Sequence, residues 1–175
     1  TLLQSSAASD VYKRPYEDFD VGQAAIGEGF YTATFDDLGG FQFLDDQYIE
    51  HGITFPEADD HVEDSGSFQN DGWGADGLGA TITVDFVEDV YFVGIHYPGA
   101  MRLRPYYQGE QLDSITFGGG FAFAGLVSDE PFDSIVFIDP FGSVNIDDLH
   151  IPLIPAPPTF AAVSYTHLRA HETSI

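Results

Sequence analysis

The chain has 175 residues, 43% hydrophobic and 15% aromatic, which suits one domain with a sizeable core plus tails rather than a disordered acidic segment. Lys+Arg is 5 against Asp+Glu 29, a net charge of −24, which excludes the cationic face that nucleic acid or an anionic membrane surface requires. The absence of Cys excludes disulfides, zinc–thiolate sites and cysteine catalysis; clustered carboxylates call instead for divalent counter-ions, calcium first.

Residues 1–29 read as irregular, and Ser5-Ser6-Ala7-Ala8-Ser9-Asp10 has the small-residue character of a signal-peptide cleavage region. Phe30 to Phe35 is the first strand, and Ile53-Thr54-Phe55 the next. Residues 57–79 read as a long loop rich in Asp and Gly. Thr81 to Phe86 alternates strictly, with Ile82, Val84 and Phe86 on one face. Tyr91 to Tyr97 is apolar on both faces, as in a central strand, and Pro98-Gly99 turns it. Met101 to Tyr107 alternates again, its Pro105 pointing to an edge strand or a bulge. Strands at 114–117, 121–128, 134–139 and 144–151 complete the set.

No interior segment has a helical period. About eight or nine short strands at ~8–12-residue spacing predict an all-β fold, an antiparallel β-sandwich over residues 30–152. A galactose-binding-like jelly roll is the favoured version and a closed barrel the alternative. Residues 153–162 form a Pro-rich hinge, and no apolar run approaches the ~20 residues of a membrane helix.

Several segments together resemble a known family. Thr34-Phe35-Asp36-Asp37-Leu38, Gln47 through Phe55, Ile82 through Phe86, Val93 through Tyr97, Ile146-Asp147-Asp148-Leu149 and Ile154-Pro155-Ala156-Pro157 occur in the order found in PEP-CTERM sorting-domain proteins. The resemblance spans roughly residues 30–162. It departs from the family pattern at Ala156, where Glu is commonest, and in lacking the following helix and basic tail. It implies a secreted β-sandwich, sorted through its C-terminus by dedicated machinery to the envelope or extracellular polysaccharide matrix of a Gram-negative bacterium. Polysaccharide and envelope proteins would be its partners. Val163 through Thr173 resembles a translated transposase-type sequencing-library adapter, so residues 163–175 are set aside from function.

Two acidic groups are candidate calcium sites. Asp71 and Asp76 lie in the Gly-rich loop with Asp59, Asp60, Glu63, Asp64 and Asn70, a composition that suits calcium although no EF-hand spacing occurs. Asp36-Asp37 and Asp147-Asp148 would meet if the first and last strands lie side by side, sharing one structural ion. The competing reading is that these acids cap turns and strand ends. Arg102 and Arg104 share a strand face, and with Trp73, Tyr106 and Tyr107 could bind an acidic sugar; the alternative makes them ion pairs and core aromatics. His51, His61, His96 and His150 are scattered without H-x-H or HExxH spacing, and His96 reads as a structural residue. No G-x-S-x-G, no P-loop and no selected carboxylate pair for glycoside hydrolysis occurs, so the expectation is a non-catalytic protein.

Overall fold

A computed structural model of the chain describes residues 13–26, 29–38, 41–57, 59–63, 74–77, 79–118, 121–142 and 144–153. Twelve strands in this set form one antiparallel sheet. They are β1 (Lys13–Tyr16), β2 (Phe30–Ala33), β3 (Gln42–Phe43), β4 (Ile53–Thr54), β5 (Asp60–Glu63) and β6 (Gly74–Gly77). Then come β7 (Thr81–Pro98), β8 (Met101–Tyr107), β9 (Glu110–Gln111), β10 (Ile115–Phe117), β11 (Phe121–Ile138) and β12 (Val144–Pro152). The single α-helix among the described residues is α1 (Phe19–Ile26), opened by Asp18, whose Oδ1 accepts from the Val21 amide at 3.1 Å. The fold is all-β and antiparallel, and its shared core is consistent with a sandwich.

The two longest strands, β7 and β11, pair along nearly their whole length and carry the architecture. The second half of β7 lies between β11 and β12, with β1 beyond β11 and β2 beyond β12. The first half of β7 lies between β11 and β4, with β8 and then β10 continuing past β11. One hairpin-like pair thus serves two groups of strands.

Side-chain parity shows how this is done. Ile82, Val84, Phe86 and Val90 enter the main core at even positions, whereas Val93, Ile95 and Tyr97 enter it at odd ones. Ala124, Leu126 and Phe132 are succeeded there by Ile135 and Phe137. Because strand side chains alternate with a period of two, each change of parity requires an irregularity. The β11–β7 register breaks between Val127 and Phe132, and again between Phe132 and Ser134. Such breaks bend a strand and increase its twist, letting it pass from one layer to the next.

Four sequence expectations need correction. Residues 1–29 are not wholly irregular: β1 and α1 lie within them, Phe19 packing against Phe92, Phe123 and Val127 in a second apolar cluster on the outer face. The segment 57–79 is not simply a loop, because β5 and β6 pair there with Val62 opposite Ala75, both fully buried. The expected strand pairs 81–86/91–97 and 121–128/134–139 are each one continuous strand. Pro105, moreover, is not on a free edge. It falls between the residues that β10 pairs and those that β9 pairs, where its missing N–H breaks no ladder on that side.

The outer cluster depends on a cross-strand glycine pair. Gly94 lies opposite Gly125, and the Phe123 ring covers both. A Cβ on Gly94 would sit 2.6 Å from Cζ of Phe123 and 2.8 Å from its Cε2. Gly94→Ala is therefore expected to displace that ring and destabilise the fold by about 1–3 kcal/mol in urea unfolding; a change within about 0.5 kcal/mol would show that the ring has room.

Candidate functional site

The site grows from an irregularity in β12. Val144 and Ile146 enter the core, then Leu149 and Ile151, so two residues rather than one separate Ile146 from Leu149. Those two are Asp147 and Asp148. Asp148 adopts φ 50, a left-handed conformation uncommon for a residue with a side chain. The β12–β7 register is broken here, between Asp147 opposite His96 and His150 opposite Gly94. The Asp148 amide no longer follows the ladder and donates to Oδ1 of Asp147 at 2.8 Å. Ahead of the break, β12 pairs with β6; beyond it, with β2.

The bulge gathers His96, Asp148 and His150 on the outer face. Nδ1 of His96 lies 3.3 Å from Oδ2 of Asp148 and 3.5 Å from Nε2 of His150. Oγ1 of Thr32, on β2, lies 2.8 Å from the other ring nitrogen of His150. Phe19 covers the pair, its ring centroid 4.9 Å from His150 and 5.8 Å from His96. Phe30 meets His150 edge-on, and Phe123 adjoins both histidines. His150 is buried, while His96 and Asp148 keep partial access to solvent. An open cleft of about 350 Å³ beside His96 is lined by Glu17, Asp18, Phe19, Asp20, Ala122 and Phe123.

Burial sets the charge states. It pushes the Asp147 carboxyl up to about 6, with repulsion from Asp148 and Asp36 adding to it and the Asp148 amide and His96 opposing. It pushes His150 down to about 4, His96 acting in the same direction, so His150 is neutral at pH 7.

The predicted acid clasp forms only in part. β2 does pair with β12, Ala33 opposite Leu149, which brings the first predicted strand beside the last. Asp36 lies close enough to influence Asp147, but Asp37 accepts a hydrogen bond from the Tyr48 hydroxyl at 2.7 Å, and Asp148 turns to His96. Asp76 is buried on β6 opposite His61, and Asp71 and Trp73 lie outside the described residues. Arg102, Arg104 and Tyr106 alternate along one face of β8, whereas Tyr107 falls on the other face, so the two tyrosines do not make a common stacking surface. Nε of Arg102 donates to Oγ1 of Thr116 at 3.3 Å, and the Tyr106 hydroxyl donates to Oε1 of Gln111 at 3.3 Å. Nε of Arg104 is buried without a hydrogen-bond acceptor among the described residues.

Scattered in sequence, His96 and His150 were not expected to join Asp148. A signal was present, since each stands within an apolar strand among residues that face the core. A scan against protein-family models finds no match to this chain, and a search of curated proteins likewise finds none.

A second acidic locus lies on β5. Asp60 is 1% exposed, and neither carboxylate oxygen meets a donor with good geometry among the described residues. Burial, then Asp59, Glu57 and Asp76, push its carboxyl up to about 7, partly offset by the Thr83 backbone. The native state therefore holds this proton more tightly than the unfolded chain does. The associated stability is complete below about pH 4 and is lost as pH rises to about 7. Asp60→Asn is expected to flatten the fall in unfolding free energy between pH 4 and 7 by up to one proton's worth of slope, measured by urea unfolding across that range. An unchanged slope would mean that Asp60 titrates normally.

Proposed function

We propose that this chain is a secreted, non-catalytic domain of the PEP-CTERM type, displayed at the cell surface or in the extracellular polysaccharide matrix. Its role there is structural or adhesive. The observation that carries the reading is the position of β12. β12, the last strand among the described residues, is hydrogen-bonded on both sides, to β7 and to β2 or β6, and ends at Pro152 immediately before the Pro-rich segment. A C-terminal tether would load a strand held by neighbours on either side, the mechanically favourable place to anchor a displayed domain. The acidic surface suits a hydrated matrix, where calcium would screen it or bridge it to anionic polymer. Asp36 and Asp147 are the acids that could contribute to such an ion from the predicted clasp. The jelly-roll, galactose-binding-like version of the fold belongs to the same reading.

A carbohydrate-binding module is the second reading. It is favoured by Arg104, whose unpartnered Nε lies on the same strand face as Arg102 and Tyr106. Arg pairs well with the carboxylates of acidic sugars.

Expression with the native flanking sequence in a Gram-negative host, followed by fractionation, tests the display reading. The protein is expected at the surface or in the matrix, and in neither place once residues 154–162 are deleted. Recovery in the cytoplasm with or without that segment would contradict it. For the second reading, Arg104→Ala is expected to weaken retention on an acidic polysaccharide column at least several-fold, with or without calcium; identical elution of the two proteins would remove it.

A further inference from the structure

We propose that His96, Asp148 and His150 form a binding site for a zinc-class transition-metal ion. This site does not depend on where the protein is displayed.

The geometry supplies the first reason. One ligand atom from each residue lies within 4.8 Å of the other two. Tetrahedral zinc, with bonds of about 2.0–2.1 Å, sets its ligands roughly 3.3 Å apart along each edge. The His96–Asp148 and His96–His150 separations, 3.3 and 3.5 Å, already match that edge. A modest side-chain rotation brings in the third edge. Two imidazoles and one carboxylate also suit zinc and its borderline neighbours, whereas calcium takes six to eight oxygens.

The surroundings supply the second reason. Thr32 engages Nδ1 of His150, leaving Nε2 to face His96. Metal-bound histidines are held in this way, their second nitrogen tied to an oxygen that fixes tautomer and ring orientation. The Asp147 carboxylate holds the Asp148 amide and steadies the bulge. The partly exposed edge of His96 adjoins the cleft carrying Glu17, Asp18 and Asp20, which attracts cations and leaves room for water or an external ligand in a fourth position.

An ion here would join β7 to β12. It would also stiffen α1, because Phe19 rests on both imidazole rings. Without a metal, Nδ1 of His96 faces both the Asp148 carboxylate, which needs a donor, and Nε2 of His150; if Nδ1 donates to Asp148 it cannot also accept from His150, so one of the two contacts is left unmade. Metal binding resolves that conflict.

The full chain, stripped with chelator, is titrated with zinc chloride by calorimetry and with cobalt(II) by visible absorption. One ion per chain is expected at this site, with the intense bands of four-coordinate cobalt and a raised melting temperature that calcium does not reproduce. His96→Gln, at a partly exposed position, should weaken zinc binding at least 100-fold while leaving the far-ultraviolet circular dichroism unchanged. Thr32→Val, which removes the oxygen that orients His150, should weaken it about 10–100-fold. Asp60→Asn, on β5 and not among the three ligands, should bind zinc normally. The absence of saturable binding, or binding unchanged in both His96→Gln and Thr32→Val, would overturn the proposal. The second outcome would place the ion on other histidines of the chain.

Discussion

Between Ile146 and Leu149, two aspartates occupy the space where strict alternation allows one residue. Both flanking side chains are fully buried in the same core. The strand must therefore bulge, and Asp148 absorbs the excess with a left-handed backbone. Much follows from that extra residue. It divides β12 into a half that pairs with β6 and a half that pairs with β2. It turns His150 onto the outer face beneath Phe19, and it brings Asp148 to His96. The core residues on either side fix the register, because a slip by one would carry Leu149 and Ile151 out of the core. Burial of each such aliphatic side chain is worth about 1.5–3 kcal/mol, enough to sustain an uncommon φ at one residue that costs about 1–3 kcal/mol.

The all-β class was legible because β-branched and aromatic residues alternate along most strands. Thr81 to Phe86 is the clearest case, with Ile82, Val84 and Phe86 buried as alternation requires. Where one strand ends and another begins was less legible. Val87, Glu88 and Asp89 are exposed and fall between the strands expected at 81–86 and 91–97, yet the backbone stays in β7 as it crosses between strand groups. Local polarity cannot distinguish a bend from a break. β5 and β6 escaped notice for a different reason. Their buried residues include Asp60, His61 and Asp76, so the polar–apolar pattern that marks a strand is nearly absent, and Val62 and Ala75 are its only traces. The helix α1 is a single short element whose burial comes from one outer-face cluster, too little for a convincing period.

Of the three clustered residues, only Asp148 was legible in the sequence as a candidate ligand. Asp147-Asp148 stood out as an acidic pair inside an otherwise apolar strand, and the pairing of β2 with β12 follows from reading them as first and last strands. What sequence could not supply was the parity change, which decides which acid faces outward and toward what. Alternation alone would have directed Asp148 away from His96. The arginine and tyrosine candidates on β8 illustrate the same limit. Adjacent strand residues diverge, so Tyr106 and Tyr107 cannot act as one surface, while Arg102 and Arg104 keep the common face their spacing implies.

The bulge places His150 in a dry, crowded position against His96 and Phe19, and the rest of the site depends on that placement. The most direct measurement is a nitrogen-15 nuclear magnetic resonance titration of the imidazole side chains in chelator. His150 is expected to remain neutral until pH falls to about 4, with its ring nitrogens reporting a single fixed tautomer. A His150 that titrates near 6.5 with rapidly exchanging tautomers would mean that the ring is solvated, and that β12 does not run as described.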